Sequence, residues 1–153
     1  MSAPRLLIID DEQDFLTTAT MRLRAEFGYA VLAANDPDEG IRRAKAERPD
    51  LILLDLAMPK IDGYEVMKLL HADEATRDIP IIVLTSHGAE RFRKKSLDWG
   101  ADAFVAKDAL ELSTYLRRGK SAQDIPLARK DILDYRILDQ VIQKVLTGDA
   151  SSE

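Results

Sequence analysis

Short apolar runs alternate with helix-period segments along the first two thirds of the chain. The runs occupy residues 6–9 (LLII), 29–34 (YAVLAA), 51–54 (LILL), 81–84 (IIVL) and 103–106 (AFVA). Each is apolar without interruption, as strands covered on both faces require. Between them, Phe15, Ala19, Arg22, Leu23 and Phe27 fall at helical spacing ahead of the stop signal Gly28. Asp36 and Pro37 make an N-cap and a first-turn proline, opening a helix that carries Ile41 and Ala44 and ends before Pro49. A third helix is predicted over about residues 64–70, with Val66, Met67, Leu69 and Leu70 as its apolar side, and a fourth over about 90–99, ahead of Gly100.

Five buried-type strands separated by helices predict an α/β fold, a doubly wound five-stranded parallel sheet, because parallel strands need crossover connections. In such sheets chemistry sits outside the carboxyl ends of the strands, where the strand order reverses. The residues at those ends are Asp10 and Asp11 after the first strand, Asp55 after the third, Thr85 and Ser86 after the fourth, and Lys107 after the fifth.

The last third is less regular. Residues 108–126 carry Leu110, Leu112, Tyr115 and Leu116 and then a polar, Gly-containing stretch that reads as a loop. Ile132, Leu133, Ile137, Leu138, Val141, Ile142, Val145 and Leu146 then form a helical pattern with a wide apolar face, and residues 148–153 are expected to fray. This places one domain over residues 1–147, with a core over 4–107 and an atypical extended C-terminal helical region.

Composition narrows the chemistry. With 27 Asp and Glu against 22 Lys and Arg the net charge is -5, which disfavours nonspecific nucleic-acid or anionic-membrane binding. Zero Cys excludes disulfides, thiol catalysis and Cys-ligated zinc, and two His, at 71 and 87, give little for an imidazole metal site. No stretch approaches the ~20 apolar residues of a membrane span, and the four-residue run before Asp10 is too short for a signal-peptide core. A cytoplasmic location is expected.

Three carboxylates in one pocket raise one another's pKa unless a cation opposes them. Oxygen-only ligands with open positions suit Mg²⁺. A metal, a hydroxyl, an amine and an in-line carboxylate are the parts needed for phosphoryl transfer to a carboxylate. Asp55, alone at its strand end, is the candidate acceptor.

These residues together resemble the response-regulator receiver domain of two-component signalling, and are similar to its stand-alone chemotaxis type. The matching pieces are LLIIDDE (6–12), LILLDLAMPKIDGYE (51–65), IIVLTSHG (81–88) and GADAFVAK (100–107). The spacings agree too: Asp55 follows Asp11 by 44 residues, Thr85 follows Asp55 by 30, and Lys107 follows Thr85 by 22. The resemblance implies a flavodoxin-like receiver fold in which Asp55 takes a phosphoryl group from a histidine kinase or phosphotransfer protein. It implies Mg²⁺ on Asp11, Asp55 and the backbone carbonyl of Ala57, with Asp10 acting largely through water. It further implies that Lys107 pairs with the phosphoryl oxygens, that Thr85 donates its hydroxyl, and that Phe104 swings inward as the switch aromatic. Met58-Pro59 and Asp62-Gly63 match the turns after the acceptor, and Ala57 and His87 flank the expected line of water attack.

Two departures stand out. Where the family has Pro after the lysine, this chain has Asp108, which could shift Lys107 and weaken its pull on phosphate. After Lys107, 46 residues remain where about fifteen are usual; either Leu110 to Leu116 is the usual last helix and Ile132 to Leu146 an appendage, or residues 108–130 are an insertion or an extra helix and about 131–147 is the usual final helix, the placement its pattern favours. That region neighbours the face receivers use for dimers and output partners, so a homodimer is one open expectation. Its surplus apolar residues read equally as a satellite core or a docking surface. Output is expected through a partner protein rather than through DNA.

Rival readings are weaker. An aspartyl-phosphate phosphatase of the haloacid-dehalogenase type needs a second Asp two residues after the nucleophile, where this chain has Ala57; no turnover of an external substrate is expected. Neither GxGxxG nor GxxxxGK[ST] occurs. A degenerate receiver that binds partners without phosphate is the remaining alternative.

Overall fold

The computed structural model describes residues 3–58, 62–85, 89–107 and 135–148. They form β1 (Arg5–Ile9), α1 (Gln13–Phe27), β2 (Ala30–Ala34), α2 (Pro37–Glu47), β3 (Leu51–Leu54), α3 (Gly63–Ala72), β4 (Ile81–Thr85), α4 (Ala89–Asp98), β5 (Ala103–Ala106) and a final helix α5 (Tyr135–Thr147). All pairings are parallel, in the order β2-β1-β3-β4-β5. The order reverses between β1 and β3, which is where the carboxyl-end crevice of a doubly wound sheet opens.

The uninterrupted apolar runs have a direct structural cause. Successive strand residues point to opposite faces, and here both faces are covered. Leu6, Ile8, Leu51, Leu53, Ile82 and Leu84 pack with Leu16, Ala19 and Leu23 of α1 and with Tyr135, Leu138 and Ile142 of α5. Leu7, Ile9, Ile52, Leu54, Ile81 and Val83 pack on the other side with Ala44 of α2 and with Val66, Met67 and Leu70 of α3.

Local chemistry sets the element ends. Gly28 closes α1 in the left-handed region, at φ 75°, and its N–H reaches Arg24 O at 3.1 Å. The Asp36 side chain accepts from the Asp38 and Glu39 amides, and Pro37 follows it, as the N-cap pattern predicts. Asp62 caps α3 by accepting from the Tyr64 amide at 2.9 Å. A Cβ on Gly63 would lie 2.5 Å from Leu56 Cα, so only glycine allows α3 to start against the segment leaving β3.

Tyr29, grouped with the second strand on pattern, precedes it. It is buried, and its hydroxyl donates to Asp139 Oδ1 at 2.5 Å while accepting from Gln143 Nε2 at 2.7 Å. The apolar face of α5 belongs to the main core: Tyr135, Leu138 and Ile142 are fully buried. The expected elements over residues 108–130, including Leu110, Leu112, Tyr115 and Leu116, lie outside the described residues. Among the described residues no helix is long and apolar enough to cross a membrane.

Candidate functional site

The ends of β1 and β3 lie side by side because the two strands are paired, with Ile9 opposite Leu54. Each strand then continues one residue further as an acid: the Asp10 amide donates to Ala34 O at 3.1 Å, and the Asp55 amide donates to Ile9 O at 3.0 Å. Asp10 and Asp55 are buried and Asp11 is exposed at the mouth. Oxygens of all three carboxylates lie within 4.8 Å of one another. Asp55 Oδ1 also accepts from the Ala57 amide at 3.1 Å, and Asp10 Oδ1 from the Glu12 amide at 2.9 Å, which orients both groups.

Lys107, just past β5, reaches across to this cluster. Its Nζ donates to Asp10 Oδ2 at 2.7 Å and to Glu12 Oε1 at 2.8 Å, and stands 4.0 Å from the Phe15 ring centroid. Burial pushes the Asp10 carboxyl up to about 7; Lys107 opposes that shift and Asp55 adds to it. Burial works against the Lys107 ammonium, but Asp10, then Glu12 and Asp55, outweigh it and raise its pKa.

Among the described residues, four carboxylates stand against one ammonium, which leaves the pocket short of positive charge. A hard, oxygen-only donor set, with a buried acid at its floor and an exposed one at its mouth, fits a divalent cation such as Mg²⁺. Asp10, Asp11 and Asp55 are the residues that could hold it.

The remaining expected site residues divide by position. Thr85 ends β4 opposite Ala106, so its backbone lies at the same sheet edge; its side chain is outside the described set. Ser86, His87 and Pro59 also lie outside it. Phe104 sits opposite Val83 on the α2–α3 face, partly buried against that half of the core. Ala57 is exposed two residues beyond Asp55.

Two participants were not read from the sequence. Glu12 was legible only as the end of the acidic run, and Phe15 only as an apolar position of α1. Glu12 meets Lys107 across 95 residues and Phe15 meets it only through the same fold, for which spacing gives no signal.

Comparison with known proteins gives the family and the fold. The response regulator receiver domain family matches residues 6–116. The chain belongs to that family. Among curated relatives of this receiver domain, the phosphate regulon transcriptional regulatory protein PhoB of Klebsiella pneumoniae is 31% identical over 151 residues, covering 97% of this chain and 66% of that protein. The DNA-binding dual master transcriptional regulator RpaA of Synechocystis is 40% identical over 104 residues, 68% of this chain and 43% of that protein. The chain thus spans two thirds or less of these relatives' length. A response regulator receiver domain protein (CheY-like) from Methanospirillum hungatei superposes with a TM-score of 0.72 over 99% of this chain and 100% of its own, at 23% identity, a likeness of fold. A putative response regulator from Chloroflexus aurantiacus gives a TM-score of 0.65 at 29% identity, covering 70% of this chain and 87% of that one. The receiver is a signalling module of two-component systems.

Proposed function

We propose that this receiver is phosphorylated on Asp55 and signals through a protein partner. The observation that carries the reading is the meeting of Asp10, Asp11, Asp55 and Lys107 at one sheet edge, oxygens within 4.8 Å and the amine 2.7 Å from Asp10. A magnesium ion held by Asp10, Asp11, Asp55 and the Ala57 carbonyl would offset charge on the phosphoryl oxygens. An Asp55 carboxylate oxygen attacks phosphorus in line, a P–O bond forms, and the bond from phosphorus to the donor's imidazole nitrogen breaks. The nitrogen keeps that electron pair and takes a proton from water.

Lys107 pairs with a phosphoryl oxygen, and Thr85 donates its hydroxyl to another. Phe104 turns inward as Thr85 is drawn over, so that phosphorylation biases two conformations of one surface. The donor is a histidine kinase or a phosphotransfer protein, and the recipient of the signal an output protein. Retention of every acid and of the amine argues against a degenerate, phosphate-independent module.

Thermal unfolding with Mg²⁺ and beryllium trifluoride, which adds to a carboxylate oxygen as a phosphoryl mimic, tests the reading. The midpoint rises in the wild-type protein and stays put in Asp55→Ala. A rise retained in Asp55→Ala, or none in the wild type, contradicts it.

A further inference from the structure

Among the described residues three partners surround the Lys107 ammonium, and they differ in how easily each could leave. Asp10 is 2% exposed and lies at the pocket floor; separating it from Lys107, itself 8% exposed, would leave a buried ammonium without its buried partner. Phe15 is packed against the core beside β1. Glu12, in contrast, is 56% exposed and rehydrates readily.

The backbone points the same way. Glu12 stands at the N-cap of α1 with extended dihedrals, φ −81° and ψ 101°, where a side chain ordinarily turns back onto the first amides of the helix. Its carboxylate makes no such cap bond. It reaches outward to Lys107 instead, at 2.8 Å. Two of the three N–H donors of the ammonium are therefore committed to carboxylates, and an aromatic face covers it at 4.0 Å.

We propose that Glu12 is a positioning residue that holds the Lys107 ammonium at rest and yields it to the phosphoryl group arriving on Asp55. The inference rests on the acceptor reading of Asp55. A phosphoryl oxygen carries more charge than a carboxylate oxygen and makes the stronger charge-assisted bond. The exchange is Glu12 for phosphate, with Asp10 staying in place. Until it happens, Glu12 neutralises the charge that would draw the phosphodonor in, so the resting site is damped by its own chain.

The test is the initial rate of Asp55 phosphorylation by acetyl phosphate at saturating Mg²⁺, in wild type, Glu12→Gln and Glu12→Ala, each also combined with Lys107→Met. Both single variants raise the rate about threefold, the scale of a half-exposed ion pair, and the gain vanishes when Lys107 is absent. An unchanged or lower rate overturns the proposal. So does a gain that persists without Lys107, which would make Glu12 a plain negative charge repelling the anionic donor. In metal-free, lysine-labelled protein the Lys107 amine resonance moves in Glu12→Gln; an unmoved resonance also overturns it. No label on Asp55 in the wild type would remove the acceptor reading, and this inference with it.

Discussion

Asp10 and Asp55 are held close by strand pairing, not by attraction. Both are buried, their oxygens lie within 4.8 Å, and Lys107 is in ion-pair contact with Asp10. Replacing Asp55 by Asn keeps the shape and removes the repulsion, so the metal-free protein gains on the order of 1–3 kcal/mol of stability at an effective dielectric near 20. Denaturant melts with and without Mg²⁺ check this: Asp55→Asn is the more stable protein without the ion and gains less from adding it. Gly63 shows the opposite kind of constraint. Gly63→Ala would press a Cβ onto Leu56 Cα at 2.5 Å and Asp55 O at 3.0 Å, both backbone, and costs about 2–3 kcal/mol in the same melts. The acids were legible because each closes an apolar run. The Glu12–Lys107 contact was not, since it follows from tertiary placement of two ordinary-looking surface residue types.

At the scale of elements, α5 shows what periodicity can and cannot tell. Its apolar face was plain in the sequence, but whether it is the usual final helix or an appendage was not fixed by the pattern alone. The structure puts Tyr135, Leu138 and Ile142 against α1 and the sheet, and adds polar attachments that no pattern announces. Tyr29 bridges Asp139 and Gln143, and the Arg22 guanidinium lies 4.5 Å from the Tyr135 ring centroid. We propose that this helix takes the place of the usual final receiver helix, with residues 108–130 as the insertion before it. Tyr29→Phe removes both side-chain hydrogen bonds and lowers unfolding stability by about 1–2 kcal/mol, with hydrogen exchange in α5 accelerated more than in β3. Uniform acceleration would contradict a local attachment. Tyr29 reads as a strand residue because aromatic side chains flank strands and fill them alike. Only its hydroxyl bonds separate the two roles.

For the whole molecule, a sheet buried on both faces leaves its carboxyl edge as the place where polar chemistry can meet solvent. The acids gathered there tie stability to pH. The Asp10 pKa, pushed up from 3.8 to about 7, means that the folded protein keeps a proton the unfolded chain has released across that interval. The contribution is full below about pH 4 and is lost as pH rises to about 7. The thermal midpoint of the metal-free wild type therefore falls across this window relative to Asp10→Asn, and saturating Mg²⁺, by opposing the charge, removes the difference. A flat difference profile without metal would contradict the burial of that acid.

The central claim is that the edge acids and Lys107 make Asp55 a magnesium-dependent phosphoryl acceptor. Incubation with acetyl phosphate, followed by intact and peptide masses beside Asp55→Ala, tests it most directly. The account predicts one phosphate, on Asp55, dependent on Mg²⁺ and absent from Asp55→Ala. No adduct on folded wild-type protein, with a known receiver labelled in parallel, or an adduct that persists in Asp55→Ala, would contradict it.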